Sequence, residues 1–418
     1  MRRCCFLLCI VGLWSMTAMA TADELPPIDK LPLQTDLPDP LTMFNGAKVT
    51  TAEQWRTERR PELIRLIEHY MYGRAPAAPQ IEAKVTKSVE SVVGGAAMLK
   101  EIEIRFVGLP DSAPKLHLAL FIPKSAGKTS PVFLGINSCG NAEVVADEAV
   151  TIDPNVVNTD KCPNPLRGSK ADFWCVDYLI SRGYAFATFH QSDLDPDKHD
   201  FSDGIHPYYP EIPAPPESRW GTVAAWAWGF QRCVDYLVTD PAIDAQRICL
   251  IGHSRRGKTA LWAAALDERV ALVVPHQSGT GGMALSRDSQ QETVERINRV
   301  FPHWFNDAFP AFGNNEARLP FDQHCVVALV APRRVLDTEG AQDPWANFPR
   351  SLDSLRGADP VYRLLGQPGL VGSGLVQDAE PIVGPNFGTI LQYRLNEKHT
   401  LTRRFWEKIL DFADASWK

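Results

Sequence analysis

Hydrophobic and polar positions alternate along this chain in three recognisable rhythms. Residues 52–73 (AEQWRTERRPELIRLIEHYMYG) repeat apolar positions at helical spacing and predict a helix. From 81 to 125 the runs IEAKVTKSV, LKEIEIRFVG and LHLALFIP read as strands, an antiparallel entry into a sheet. Short unbroken apolar runs follow: PVFLGIN (131–137), AFATFH (185–190), RICLIG (247–252), VALVVP (270–275) and VLDTEG (335–340). Runs of that length predict buried parallel strands. Helical patterns separate them at 221–239 and 257–266, and LTRRFWEKILDFADASW closes the chain as an amphipathic helix. Strands alternating with helices predict an α/β protein with a mostly parallel central sheet flanked by helices, a three-layer sandwich.

Composition narrows this picture. The chain has 418 residues, 44% of them hydrophobic, enough for a large core. Its net charge of −7 comes without a block of like charge, which argues against a nucleic-acid partner. Arg2 and Arg3 precede the apolar stretch Cys4 to Met16, and Ala18-Met19-Ala20 supplies a small-x-small site. Residues 1–20 therefore predict a cleaved signal peptide and a secreted or periplasmic protein. Residues 21–418 then form a single catalytic domain with an extended, proline-rich N-terminal arm. No later segment is long and apolar enough to span a membrane. Six cysteines remain after cleavage: Cys139, Cys162, Cys175, Cys233, Cys249 and Cys325. Export permits disulfides among them, although Cys249, inside an apolar strand, reads as a buried free thiol. With neither C-x-x-C nor H-E-x-x-H spacing, no metal and no cofactor is expected.

The chemistry concentrates in RICLIGHSRRGKTALWAAAL. An apolar strand runs into Gly252-His253-Ser254-Arg255-Arg256-Gly257 and then a helix. The second glycine lies one residue later than in the G-x-S-x-G elbow. A sharp strand-to-helix turn would still lift the Ser254 hydroxyl above the strand ends. The helix start behind it would offer N–H groups and a positive dipole to an oxyanion. The plainer alternative is a βα turn with Ser254 as N-cap. A nucleophilic serine needs a base and an orienting acid, in the chain order serine, acid, histidine for an α/β-hydrolase. His399 falls between TILQYRL and the terminal helix, where the base belongs; His303 and His324 compete with it. Asp343 follows VLDTEG by three residues, where the acid belongs, or else it caps the turn at Pro344.

At GHSRRGK the chain resembles the glucuronoyl esterases, carbohydrate esterase family 15, of the bacterial type. The likeness extends through WGTVAAWAWGFQRCVDYL, SGTGGMALSR, ETVERIN, FPHWF, DQHCVVALVAPR and DPWAN, roughly residues 40–415. It implies the α/β-hydrolase fold and cleavage of the ester between 4-O-methyl-glucuronic acid on glucuronoxylan and a lignin alcohol. It further implies Ser254 as nucleophile, His399 as base and Arg255 supporting the oxyanion; a monomer is expected. Lys258, Glu292 and Trp345 correspond to contacts with the uronate. Many family members carry a glutamate in the segment matching PHQSG, where this chain has Gln277. An amide cannot stabilise an imidazolium by charge, so Asp343 must serve. Two other readings stay open: an acetyl xylan esterase, needing no uronate pocket, and a non-catalytic polysaccharide-binding protein.

Overall fold

A computed structural model describes residues 25–125, 127–153, 162, 166–210 and 219–417. The signal-peptide expectation, on residues 1–20, lies outside the described residues. One ten-stranded sheet organises the chain. Its strands are β1 (Ile81–Val92), β2 (Ala97–Phe106), β3 (Leu116–Pro123), β4 (Ser130–Asn137) and β5 (Ala185–His190), then β6 (Ile243–His253), β7 (Val270–His276), β8 (Arg334–Gly340), β9 (Leu375–Gln377) and β10 (Ile390–Leu395). The spatial order is β1-β2-β3-β5-β4-β6-β7-β8-β10-β9. β1, β2 and β3 pair antiparallel, and β3 joins β5 antiparallel. From β5 onward every pairing is parallel. Each predicted strand is present; only the short edge strand β9 lacked a sequence signal.

The parallel strands alternate between two apolar layers, as a pleated sheet covered on both faces requires. In β4, Val132, Leu134 and Ile136 face one core while Phe133 faces the other. In β6, Leu250 faces the first and Cys249 and Ile251 the second. The first layer is closed by the helices Thr222–Leu237, Arg255–Leu266 and Gln323–Val330. The second is closed by Val176–Ser181 and the terminal helix Arg403–Ser416. The predicted helix at 52–73 forms over 52–72, with π turns at Trp55–Arg59 and Glu68–Tyr72. The arm before it is tied down: Arg318 donates to the Leu31 carbonyl, and Tyr70 Oη donates to that of Pro26. None of the described helices is long and apolar enough to cross a membrane.

The strand order positions the site. From β4 the chain moves to β5 on one side, then returns to place β6 on the other. Such a reversal opens a crevice at the carboxyl ends of the strands. The loops after β4, β6, β7, β8 and β10 all emerge there. Cys139, in the loop after β4, is disulfide-bonded to Cys162, and Cys249 is a buried free thiol.

Candidate active site

At the end of β6 the backbone turns abruptly into the helix Arg255–Leu266. Ser254 sits at the turn with φ 60° and ψ −127°, a conformation that non-glycine residues rarely adopt. Its N–H bonds to the His276 carbonyl at 2.9 Å, and its side chain makes no capping bond. Both glycines are required by close approach. A Cβ on Gly252 would lie 1.9 Å from the Arg256 carbonyl, and one on Gly257 would lie 2.9 Å from the Gly252 carbonyl. The glycine is displaced by one residue because the helix starts directly after Ser254, which puts Gly257 against Gly252. The first N–H groups of this helix lack intrahelical acceptors and face the crevice end.

His399 and Asp343 meet there. His399 Nδ1 lies 2.5 Å from Asp343 Oδ2, with Asp343 buried and His399 partly exposed. Backbone bonds hold the two loops side by side: Ala341 N–H to Leu395 O at 2.7 Å and Gln342 N–H to Glu397 O at 2.9 Å. Gln277, with φ 46°, occupies the third strand end. Its Nε2 donates to the Lys398 carbonyl at 2.9 Å, and its Oε1 lies 3.3 Å from His253 Nε2. His276 Nε2 reaches the Thr400 carbonyl at 3.0 Å. The His253 ring packs 4.3 Å from that of His399. Burial, aided by the charges of His399 and His276, drives the His253 pKa well down, so this neighbour stays neutral. The competing histidines are engaged by other groups: His303 binds Asp197, and buried His324 binds the Pro38 carbonyl.

Arg255 is held in a specific pose. Its Nη1 pairs with Asp197 Oδ2 at 2.5 Å, and its guanidinium lies 4.3 Å from the centre of the Trp304 ring. Asp197 also accepts from His303 Nε2 at 3.0 Å and Trp304 Nε1 at 2.9 Å. Burial alone would raise this carboxyl. The bonds from His303 and Trp304 and the Arg255 charge outweigh it and hold Asp197 well below the usual carboxylate range. Asp197 escaped the sequence reading, although the Asp-rich loop at 191–220 was the signal available.

Lys258, Glu292 and Trp345 converge into one cluster. Lys258 Nζ donates to Ser278 O and Thr280 O, both at 2.6 Å, and to Glu292 Oε2 at 3.0 Å. Glu292 Oε2 also accepts from the Thr280 N–H at 3.0 Å, while Oε1 accepts from Trp345 Nε1 at 3.1 Å. All three ammonium protons are therefore committed, and burial lowers the Lys258 pKa. The lysine reaches a sugar hydroxyl only by exchanging one of these bonds. In this state it fixes the Glu292 carboxylate and the 278–280 turn.

Behind Asp343, β8 carries two fully buried acids, Asp337 and Glu339. Gln392 Nε2 donates to Asp337 at 2.7 Å and Ser351 Oγ to Glu339 at 3.1 Å. Burial raises both pKa values, with Asp337 reaching about 7 and Glu339 pushed higher by the Asp337 charge. The pair folds with protons bound that the unfolded chain releases near the ordinary carboxylate pKa of about 4. Its contribution to stability is thus complete below about pH 4 and is lost as pH rises through about 7. Asp337→Asn is expected to flatten the dependence of Tm on pH between 4 and 8, raising Tm most at the alkaline end. An unaltered pH dependence would exclude this pair as its source.

The described residues include one group of ligand-type atoms, from His117, Asp153 and Asp193, lying within 4.8 Å of one another. No candidate catalytic residue belongs to it.

Residues 159–366 match the family described as "Glucuronyl esterase, fungi". A carbohydrate esterase from an unknown prokaryotic organism is 41% identical over 391 residues, covering 90% of this chain and 89% of that protein. The 4-O-methyl-glucuronoyl methylesterase of Schizophyllum commune is 29% identical, covering 79% of this chain and 74% of its own. Among solved structures, a promiscuous CE15 esterase from a marine bacterial metagenome superposes with TM-score 0.80 at 39% identity, covering 93% of this chain and 98% of that one. A glucuronoyl esterase from Solibacter usitatus gives TM-score 0.83 at 35% identity, covering 93% and 100%.

Proposed function

Because this chain belongs to carbohydrate esterase family 15, the glucuronoyl esterases, we propose that it hydrolyses esters of 4-O-methyl-glucuronic acid. The physiological ester would join glucuronoxylan to a lignin alcohol, and the N-terminal segment would direct the enzyme out of the cytoplasm. The observation that carries the catalytic reading is the contact of Asp343 with His399 Nδ1, on loops beside the Ser254 elbow. A carboxylate there holds the proton on Nδ1 and leaves Nε2 to work as the base.

In this reading His399 removes the Ser254 proton as Oγ attacks the uronate carbonyl. The tetrahedral oxyanion meets backbone N–H groups at the helix start and the Arg255 guanidinium. His399 then returns the proton to the departing alcohol oxygen. Water cleaves the acyl-enzyme by the same route reversed. Glu292 and Trp345 recognise the sugar: the carboxylate accepts from ring hydroxyls, and the indole walls a pyranose face. Lys258 holds that carboxylate in place.

Methyl and benzyl glucuronates assayed beside acetylated xylan test the substrate class. Glucuronate esters are expected to give kcat/KM on the order of a hundredfold higher, since the site spends its polar groups on the uronate. Acetyl release exceeding glucuronate turnover would select an acetyl xylan esterase instead.

A further inference from the structure

A cavity touches His399 on the side away from Glu292 and Trp345. It holds about 180 Å³ and is lined by the loop after β4, the 170–174 segment, Arg256, His399 and Thr400. In the sheet, β4 lies on one flank of β6, whereas β7 and β8, whose loops bring Glu292 and Trp345, lie on the other. The cavity and the uronate cluster therefore flank the Ser254 elbow from opposite sides.

Its wall is partly aromatic. Phe173 meets His253 edge-on at 5.3 Å, and Trp174 packs so tightly over Gly135 that a Cβ there would lie 2.7 Å from the indole. A dry cavity of about 150 Å³ accommodates benzene, so this one has room for a single six-membered ring. Its charges are unevenly spent. Buried Glu143 accepts from the Ser138 N–H at 3.2 Å and lies 3.5 Å from Trp174 Nε1. The Arg256 side chain makes no hydrogen bond or ion pair among the described residues, and its Nε is buried without a partner. Burial, with the Arg255 charge beside it, lowers its pKa to about 10. Among the described residues the Lys170 ammonium reaches only the Phe173 ring, at 6.0 Å. The unspent groups are thus donors, and an unpaired guanidinium in such a place is costly unless something accepts from it.

We propose that this cavity is the alcohol subsite, holding one aromatic ring against Phe173 with an acceptor oxygen on that ring bonded to Arg256. The inference rests on the hydrolytic reading above. Asp343 occupies Nδ1 of His399, so Nε2 must protonate the leaving oxygen, and the alcohol must lie beside His399. The preferred leaving group is an aryl-methyl or similar aryl alcohol bearing a methoxy, phenolic or carboxylate oxygen.

The test compares methyl, benzyl and 4-methoxybenzyl glucuronates across wild type, Arg256→Met, Arg256→Lys and Phe173→Ala. Arg256→Met is expected to lower the 4-methoxybenzyl to benzyl ratio of kcat/KM by about tenfold, mainly through KM, since the lost bond has a charged donor. Arg256→Lys should recover part of that ratio. Phe173→Ala should instead lower the benzyl to methyl ratio. Ratios within twofold of wild type would overturn the proposal. Calorimetric binding of 4-methoxybenzyl alcohol to the wild-type protein separates the two readings. Saturable binding, weakened by Arg256→Met, supports the subsite even if no glucuronate is hydrolysed. Absence of binding, with glucuronates hydrolysed, refutes the subsite and leaves the hydrolase intact.

Discussion

Ser254→Ala is expected to remove ester hydrolysis, lowering kcat by about 10^4-fold or more while leaving the fold intact. The size of the effect follows from chemistry: without Oγ there is no acyl-enzyme, and the remaining oxyanion donors act on a substrate with no positioned nucleophile. The preserved fold follows from local structure. Ser254 makes no capping bond, so the plain N-cap alternative has no contact behind it. The strained φ of 60° is imposed by the tight passage of Gly252 beneath Arg256, which alanine leaves unchanged. Unfolding midpoints of the two proteins should therefore agree within a few degrees. Activity within tenfold of wild type would remove Ser254 from the mechanism.

Asp343→Asn is expected to lower kcat by about 10^3- to 10^4-fold at nearly constant Tm. In the proposed triad the carboxylate at Nδ1 would select the working tautomer and offset the charge of the transient imidazolium. An amide can present its N–H to that nitrogen and so favour the wrong tautomer. The second role of Asp343 survives the change, because an amide oxygen can still accept from the Ala346 N–H, 3.4 Å from Oδ1. Adding Gln277→Glu should return only part of the rate. The new carboxylate would forfeit the bond to the Lys398 carbonyl that positions the histidine loop. A loss in Asp343→Asn smaller than tenfold would transfer the role to another acid. Glu397, paired with Arg404 at 2.9 Å, and Glu339, on Ser351, are the alternatives.

The fold was legible because the sheet writes itself in period two or in short apolar runs bounded by turns. All the parallel strands except β9 carry that signature. β9 is three residues long, Leu375–Gln377, too short for any period to register. The helices Gln323–Val330 and Phe348–Leu364 were missed for opposite reasons. The first is buried on every side, so it shows no amphipathic stripe. The second contains Pro360 and few apolar positions. Ser254, Asp343 and His399 could be singled out because each follows a recognisable strand in a fixed chain order, and the structure sets Asp343 against His399 Nδ1. Asp197 and Gln277 were harder. Their partners, Arg255 and Lys398, are dictated by loops packed across the sheet end, and nothing local in the sequence encodes such a meeting. Lys258 shows the limit of reading a residue type alone: a lysine beside a serine suggests a free ammonium, yet packing commits every proton it has.

The histidine loop is fastened at Leu395, Glu397, Lys398 and Thr400 to groups on the loops and ends of two neighbouring strands. Its ordering entropy is thus spent once, at folding, and not again at each turnover. It behaves as an extension of the sheet, not as a lid that opens and closes. The Ala341 and Gln342 amides, which donate to its carbonyls, should exchange with solvent as slowly as those of the strand ends. On heating, the contact of His399 with Asp343 should survive until the sheet itself gives way.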